Sequence, residues 1–231
     1  IGSLQDISAI KELESQLDDE RLQKQKIISE TVIQVAENER TKIGHELHDN
    51  VNQILSTAKL FVDMLEVKDA DQQILKDKSN DYLTLAIEEI RKLSRDLVAP
   101  QLKEEKLSNS IRLLVQDIEM AHDMEILFDH NAESEFLSEG KKVTLFRIVQ
   151  EQLKNIIKHS GASRTQISLQ GEDGMVRLRI SDNGKGFNPH QTYRGIGLNN
   201  IYERTKFYNG NVEIVAAPGK GCTITVTIPA E

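Results

Sequence analysis

The sequence predicts a chain in two parts, an all-helical N-terminal region followed by a domain that mixes helices with a mostly antiparallel sheet. Glycine and proline are nearly absent from residues 3–99, in which Gly44 is the only glycine, and Pro100 is the first proline of the chain. Because these two residue types interrupt regular helices, their absence favours long helices. The other glycines are concentrated from Gly140 onward, among short alternating apolar runs that are typical of strands.

Composition limits the classes of protein to consider. The 231 residues are 38% hydrophobic and 29% charged, a globular mixture without a run of 18 apolar residues that could span a membrane. The single cysteine, Cys222, excludes an intrachain disulfide and fits a reducing, cytoplasmic location. The chain begins at Ile1 and not at methionine, so we expect a fragment of a longer protein, whose membrane attachment stays open.

Charge is unevenly distributed along the chain. The net charge of −8 is the sum of −14 over residues 1–140 and +6 over residues 141–231. An acidic average disfavours nucleic acid as a direct partner. The basic C-terminal part is nevertheless able to attract a small anion that the average conceals.

Apolar residues at spacings of three and four predict a helical hairpin within residues 31–100. The polar stretch 66–73 interrupts the pattern, and Pro100 ends it. One hairpin leaves its two apolar stripes partly uncovered, whereas two copies would cover them in a four-helix bundle, so we expect a homodimer. A weaker heptad pattern over residues 1–30 predicts a signalling coiled-coil helix. The stripes comprise Ile28, Val32, Val35, Ile43, Leu47, Val51, Ile54, Ala58, Phe61 and Leu65, and then Leu83, Ile87, Ile90 and Leu97.

Helices and strands alternate from Leu107 onward. Ser108 or Ser110 is expected to cap a first helix, residues 125–129 to form an edge strand, and a longer helix to begin near Ser138. The helical crossovers are too few for a doubly wound sheet, which favours a mostly antiparallel sheet with helices on one face. The remaining predicted elements are strands over 165–169 and 176–180, a helix over 198–208, and strands over 211–215 and 222–228.

Two glycine-containing runs have the composition of phosphate-binding loops. The run Asp182 to Gly186 follows a predicted strand, and the run Gly195 to Leu198 begins a predicted helix. Glycines let backbone N–H groups approach a phosphate closely, and a helix N-terminus adds the positive end of its dipole. Neither a Walker A sequence nor a dinucleotide-binding G-x-G-x-x-G sequence is present, so a different nucleotide-binding fold is needed.

Polar residues on the helix before these strands could bind a metal and phosphate. Glu151, Asn155, Lys158 and His159 recur at i, i+4, i+7 and i+8, on one face of an otherwise apolar helix. A carboxylate and an amide oxygen suit Mg²⁺, directly or through water, and a lysine suits phosphate. Without the glycine runs, a face exposed to solvent would be the better interpretation.

These motifs, together with Gly219-x-Gly221, resemble the N box and glycine boxes of the ATP-binding domain shared by histidine kinases, gyrase, Hsp90 and MutL. The run Glu39 to Asp49, with sequence ERTKIGHELHD, resembles the phosphoacceptor box of the sensor histidine kinases of the nitrate-sensor and desaturase-thermosensor type. The resemblance extends over most of the chain. It implies an α/β-sandwich domain of the Bergerat type, which binds ATP with Mg²⁺, over residues 101–231.

The resemblance also implies a role for each matching residue. His48 would be the phosphoacceptor, and Asp49 would orient its ring and take its proton. Gln53, one turn after Asp49, would align a water that dephosphorylates the partner. Asp182 would accept a hydrogen bond from the adenine amino group. The other implied contacts are Asn155 and Glu151 at the metal, Lys158 and His159 near phosphate, Gly184, Gly186, Gly195 and Gly197 framing a lid, and Leu198 beside the nucleotide.

The implied function is that of a sensor histidine kinase in a two-component system. ATP would phosphorylate His48, and the phosphoryl group would pass to an aspartate in the receiver domain of a response regulator. A switch that acts mainly as a phosphatase and an ATP-binding coiled-coil scaffold without kinase activity stay open as alternatives. Three residues depart from the family pattern, His45, Asn52 and Cys222, which stand where arginine, glycine and threonine are common. None of these departures removes a group that the reaction requires.

Overall fold

The computed structural model describes residues 2–100, 102, 105–188 and 196–230. The chain divides into two compact units, Ile1–Ala99 and Pro100–Glu231. The division coincides with the proline that was expected to end the helical hairpin. Within the described ranges, no helix combines the length and the apolar character needed to cross a membrane.

The first unit is a helical hairpin, as predicted. Helix α1 spans Gly2–Glu46, a π-helical turn follows over Leu47–Val51, helix α2 spans Asn52–Asp63, and helix α3 spans Ala70–Leu97. The connection between α2 and α3 is shorter than the polar stretch suggested. The side chain of Asp69 accepts a hydrogen bond from the backbone N–H of Gln72 at 2.8 Å, and this N-cap begins α3 inside that stretch.

The turn between α1 and α2 is wider than an α-helical turn. The backbone N–H of Asn52 donates to the carbonyl of Leu47, which is a step of five residues and not four. His48 and Asp49 lie in this turn and are exposed, whereas Leu47 is half-buried. The π-helical turn therefore presents these two polar side chains to solvent.

Much of the apolar stripe of the hairpin is uncovered within one chain. Ile54 and Phe61 on α2 are 67% and 63% exposed, and Leu65 just after α2 is 59% exposed. By contrast, Ile87 is buried. The hairpin thus buries only part of the apolar surface that its sequence provides.

The second unit contains one five-stranded sheet in the order β1-β2-β3-β5-β4. Strands β1 (Glu125–His130) and β2 (Arg164–Glu172) are parallel, and all other neighbouring strands are antiparallel. Strands β3 (Met175–Asp182), β4 (Asn211–Ala216) and β5 (Cys222–Pro229) complete the sheet. The predicted mostly antiparallel sheet and its edge strand β1 are confirmed.

Three helices pack with the sheet around one hydrophobic core. They are α4 (Leu107–Ala121), α5 (Glu139–Asn155), which continues as a π-helical turn over Ile156–Ser160, and α6 (Ile196–Phe207). Alternate residues of β2, β3 and β5 are buried, so the sheet turns one apolar face toward the helices. The most deeply buried side chains include Leu107, Ile111, Leu145, Ile148, Leu153, Ile167, Leu178, Ile180, Ile201 and Ile224.

The start of α4 differs from the prediction, because neither Ser108 nor Ser110 caps the helix. Lys106 occupies the N-cap position without a side-chain hydrogen bond, and the carboxylate of Glu135 accepts hydrogen bonds from the backbone N–H groups of Leu107 and Ser108 at 2.9 and 3.0 Å. Burial acts to raise the pKa of Glu135, but hydrogen bonds from the hydroxyl of Ser108 and from these two N–H groups, together with the charge of Lys142, outweigh it and hold the pKa below its usual value. A carboxylate 27 residues away from Ser108 thus replaces the local cap.

Candidate functional site

The second unit contains a cavity of about 360 Å³ between α5, the end of β3 and the start of α6. It opens beside the two glycine runs that the sequence pattern singled out. Its lining residues are Gln152, Asn155, Ile156, His159, Ser160, Asp182, Lys185, Gly186, Phe187, Gly197, Leu198, Cys222 and Ile224.

Helix α5 and its π-helical extension provide one wall of the cavity. Gln152, Asn155, Ile156 and His159 lie at i, i+3, i+4 and i+7, which places them on one stripe of the helix. Asn155 and His159 were predicted site residues. The wall combines three polar side chains with an apolar one, Ile156, an arrangement that can contact both the polar and the flat apolar parts of a ligand.

Glu151 lies beside this wall, against the first turn of α6. A Cβ atom on Gly197 would run into Oε1 of Glu151 and would lie 3.4 Å from Nδ2 of Asn155. The carboxylate and the amide therefore lie side by side at the N-terminus of α6, close to Gly197. Lys158 is exposed and is not among the described residues that line the cavity.

Asp182 is the buried carboxylate of the cavity, at the end of β3. It is 7% exposed, and its Oδ1 accepts a hydrogen bond from the backbone N–H of Gly184 at 2.8 Å. Burial raises the pKa of Asp182 above its usual value, although hydrogen bonds from the backbone N–H groups of Gly184 and Cys222 act to lower it. A carboxylate has further lone pairs after these bonds, so Asp182 can accept a hydrogen bond from a ligand.

The loop after β3 is held tightly against the end of the π-helical extension. The backbone N–H of Lys185 donates to the carbonyl of Ser160 at 2.9 Å, and a Cβ atom on Gly184 would lie 2.6 Å from the Cβ of Ser160. Gly186 has a positive φ of 59°, and a Cβ there would run into the carbonyl of Ala217. Both glycines are therefore required by close backbone packing.

The second glycine run lies only partly within the described residues. Gly195 is outside them, whereas Gly197 and Leu198 lie in the first turn of α6 and line the cavity. The framing of a lid by Gly184, Gly186, Gly195 and Gly197 stays a prediction.

Gln152 and Ile156 line the cavity but were not singled out from the sequence. Gln152 is 5% exposed, and its Oε1 has no hydrogen-bond partner among the described residues. Their spacing from Asn155, three residues before and one after, could have placed both on the same wall. A buried amide oxygen without a partner costs about 1–3 kcal/mol, which a ligand that donates a hydrogen bond would recover.

Cys222 was predicted to be a small buried strand residue, and its burial is confirmed. It also lines the cavity next to Asp182, its register partner in the pairing of β3 with β5. Burial, and then the nearby charge of Asp182, raise the pKa of the Cys222 thiol to about 11. Only the strand register brings these two residues together, so the sequence pattern could not show that they are neighbours.

The first unit carries the other predicted functional residues. His48 and Asp49 lie in the π-helical turn, Gln53 follows on α2, and all three are exposed. A surface groove begins directly beside them and is lined by Asn50, Gln53, Ile54, Thr57, Ala58 and Phe61. The groove combines polar side chains next to His48 with an apolar surface further along α2.

Comparison with known families matches both units. Residues 39–102 match the family described as "Histidine kinase", and residues 140–231 match the family described as "Histidine kinase-, DNA gyrase B-, and HSP90-like ATPase". The first match contains His48, Asp49 and Gln53, and the second contains Asn155 and Asp182.

Curated relatives extend over nearly the whole chain. The sensor histidine kinase MctS of Rhizobium johnstonii is 29% identical over 224 residues, 94% of this chain and 48% of that protein. The sensor histidine kinase LiaS of Bacillus subtilis is 31% identical over 218 residues, 92% of this chain and 59% of that protein. The signal transduction histidine-protein kinase/phosphatase UhpB of Salmonella typhimurium is 29% identical over 229 residues, 96% of this chain and 45% of that protein.

The chain spans about half the length of these curated relatives. The order of the two matched families is the order in which the phosphoacceptor box and the glycine boxes occur along the chain. The resemblance noted from the motifs is thereby confirmed. This chain belongs to the sensor histidine kinases, with a histidine-kinase phosphoacceptor domain followed by an ATPase domain of the histidine kinase, gyrase and Hsp90 type.

Proposed function

We propose that this chain is the catalytic portion of a dimeric sensor histidine kinase that acts in the cytoplasm. It uses ATP to phosphorylate His48 and then transfers the phosphoryl group to an aspartate of a response regulator. The observation that carries the proposal is the cavity of the second unit, in which the buried carboxylate of Asp182 lies at the end of β3 and the amide of Asn155 lies on α5.

The cavity suits the adenine base of ATP. Asp182 accepts a hydrogen bond from the exocyclic amino group, and the apolar side chains of Ile156, Phe187 and Leu198 provide contact surface for the ring. The unpartnered Oε1 of Gln152 offers a further acceptor to the nucleotide. An acceptor carboxylate favours adenine over guanine, because guanine has a carbonyl oxygen where adenine has its amino group.

The polar residues of α5 suit a magnesium ion on the phosphates. Glu151 and Asn155 lie side by side against Gly197, and carboxylate and amide oxygens are ligands that Mg²⁺ prefers. Asn155, with Glu151 at the metal or at its water, would hold the ion, which when bound neutralises phosphate charge during transfer. His159 at the cavity and the exposed Lys158 beside it on the π-helical extension would be near the phosphates.

His48 supplies the nucleophile. One ring nitrogen of its neutral imidazole attacks the γ-phosphorus, a nitrogen–phosphorus bond forms as the bond to the bridging oxygen breaks, and ADP leaves. The other ring nitrogen carries a proton that has to be removed or shared as positive charge develops. Asp49 follows His48 in the π-helical turn, and its carboxylate orients the ring and takes this proton.

The test of this proposal is the chemistry of the phosphorylated residue. Incubation with γ-labelled ATP and Mg²⁺ should give a label that is labile in acid and stable in alkali, as expected for phosphohistidine. The label should vanish in His48→Gln and persist in the matched control His45→Gln, since His45 is an exposed histidine of α1 three residues earlier. An acid-stable label would contradict the proposal and indicate a serine or threonine kinase.

Dephosphorylation of the regulator is a second activity that one observation favours. Gln53 lies one turn after Asp49, exposed beside His48, where its amide is able to align a water. A relative over 96% of this chain, UhpB, is named a kinase/phosphatase. Gln53→Ala should abolish regulator dephosphorylation and leave autophosphorylation intact; unchanged dephosphorylation would count against this role.

A scaffold that binds ATP without phosphorylating His48 is the less favoured reading, because both matched families are those of histidine kinases. ATP binding without any phosphohistidine, in the presence of a receiver domain, would support the scaffold.

We propose that a second copy of the chain packs against the apolar stripe of the hairpin. Ile54 and Phe61 are each more than 60% exposed, and they lie on α2, one of the two helices that each hairpin would bring to the four-helix bundle. Pairing two hairpins would remove this surface from water without needing another protein.

A further inference from the structure

A side chain of α3 binds the backbone of α1 close to the phosphoacceptor turn. The Oγ of Ser94 donates a hydrogen bond to the carbonyl of Gly44 at 2.8 Å, across 50 residues of sequence. Ser94 is 5% exposed, and Gly44 is buried as well. Because water does not reach this bond, the bond is the means by which the Ser94 hydroxyl avoids an unpaired buried state.

The bond exists because the two helices approach unusually closely at Gly44. A Cβ atom on Gly44 would lie 2.5 Å from Cγ2 of Val98 and 3.2 Å from Cβ of Leu97. No side chain larger than hydrogen therefore fits between α1 and α3 at this point. The short side chain of Ser94 reaches the backbone of α1 directly.

The bonded carbonyl is the one that belongs to the hydrogen-bond ladder of His48. In an α-helix the N–H of residue 48 bonds to the carbonyl of residue 44, four residues earlier. The ladder changes just after this point, where the N–H of Asn52 bonds to the carbonyl of Leu47 in a five-residue step. A hydroxyl that binds a helix carbonyl competes with the ladder and is a recognised cause of local helix distortion.

We infer that Ser94 is a positioning residue for phosphoryl transfer, whose hydroxyl fixes the π-helical turn Leu47–Val51 and thereby the direction of the His48 imidazole relative to α3. The inference rests on the proposed role of His48. A shift of α3 along α1 is transmitted through this bond to the turn that carries His48. The bond thus couples the packing of the hairpin to the geometry of the phosphoacceptor.

Three variants of the 231-residue chain separate positioning from general stability. Ser94→Ala removes the hydroxyl, and Ser94→Thr keeps it. Ser79→Ala is the matched control, because the Oγ of Ser79 binds the carbonyl of Leu75 within α3 itself and is exposed. Hydrogen exchange of the peptide covering residues 45–52 reports the turn, and the rate of autophosphorylation at varied ATP reports kcat and the KM for ATP separately.

Ser94→Ala should accelerate exchange in residues 45–52 about five- to tenfold, the scale of one buried hydrogen bond, and lower kcat by a similar factor. The KM for ATP should not change, because the nucleotide cavity lies in the second unit. Ser94→Thr should restore both quantities, and Ser79→Ala should leave both as in the unaltered chain.

Unchanged exchange or an unchanged kcat in Ser94→Ala would overturn the inference. Exchange that accelerates equally throughout residues 70–97 would overturn it too, since Ser94 would then serve only the stability of the hairpin. Failure of the proposed function has a different signature, the absence of phosphohistidine from the unaltered chain, and in that case the exchange of residues 45–52 alone decides whether Ser94 fixes the turn.

Discussion

At the scale of single residues, the buried end of the nucleotide cavity depends on two side chains that face each other across neighbouring strands. Asp182 on β3 and Cys222 on β5 are register partners, and both are buried. Burial raises the pKa of each group, and the charge of Asp182 raises that of Cys222 further. The pair therefore contains an ionisable acceptor beside a thiol that stays protonated.

We predict that Cys222 reacts slowly with alkylating reagents in the folded chain. Raising its pKa from 9.0 to about 11 lowers the thiolate fraction near neutral pH roughly 100-fold, and the thiolate is the reactive form. Bound nucleotide should slow the reaction further, because Cys222 lines the cavity. Mass spectrometry after iodoacetamide treatment measures the rate, with the urea-unfolded chain as control. Equal rates in the folded and unfolded chain would contradict the prediction.

We predict that Asp182→Asn weakens ATP binding about tenfold or more, since a hydrogen bond to a charged group contributes about 1.5–3 kcal/mol. The substitution should not lower the free energy of unfolding of the ligand-free chain at pH 7. Because the pKa of Asp182 is raised above 3.8, the stabilisation from its protonation is complete below the unfolded value and is lost as the pH rises through the folded value. The charged form at pH 7 is thus buried at a cost that asparagine avoids.

Titration with an ATP analogue and urea unfolding at pH 7 measure the two effects. Asp173→Asn, in the exposed turn between β2 and β3, is the control and should change neither quantity. A loss of stability in Asp182→Asn as large as its loss of binding would argue that Asp182 serves the fold and not the nucleotide.

At the scale of elements, the loop between β4 and β5 closes against the end of β3. Gly219 and Gly221 both have positive φ, 76° and 70°, but only Gly221 is crowded. A Cβ on Gly221 would run into the carbonyl of Asp182, whereas a Cβ on Gly219 would meet open space. Substitution of Gly219 therefore tests backbone strain alone, whereas substitution of Gly221 tests strain and close packing together.

Gly219→Ala should cost about 1 kcal/mol of unfolding free energy, because an L-residue is strained in the left-handed region. Gly221→Ala should cost about 3 kcal/mol or more and should weaken nucleotide binding, because the clash adds to the strain and displaces Asp182. Urea unfolding and nucleotide titration of both variants check this prediction. Similar losses in the two variants would show that the contact with Asp182 does not matter.

At the scale of the whole molecule, the surface proposed for dimerisation and the cavity proposed for ATP lie in different units. Residues 1–140 carry −14 and residues 141–231 carry +6, and the cavity is lined entirely by the second group. The exposed apolar stripe, by contrast, belongs entirely to the hairpin. Dimerisation and nucleotide binding should therefore respond to different substitutions.

We predict that Phe61→Asp converts a dimer into a monomer that still binds ATP. A charge at the 63% exposed Phe61 would be buried in the bundle between two copies, which is costly, while the cavity in the second unit is unaffected. Sedimentation measures the mass. Ser56→Asp, at an exposed polar position of α2, is the matched control and should leave the dimer intact. An unaltered chain that sediments as a monomer would contradict the proposed dimer.

The sequence by itself determined the secondary-structure elements and the motifs that contain the candidate site residues. The hairpin, all five strands and the edge position of β1 follow from periodicity and from the positions of glycine and proline, because these patterns are local. The glycine runs could be recognised from their composition, and the phosphoacceptor box from its resemblance to that of the sensor histidine kinases, since the residues of each motif are close in sequence. His48, Asp49, Asn155 and Asp182 were all identified at this level.

Only the tertiary structure decided which groups from distant segments meet. The cap of α4 by Glu135, the pairing of Cys222 with Asp182 and the bond from Ser94 to Gly44 each join residues at least 27 apart. The π-helical turn at His48 and the exclusion of Lys158 from the cavity wall likewise depend on how helices are wound and packed. A helical period specifies a face, but the partner of that face is chosen by close packing between segments that no local pattern connects.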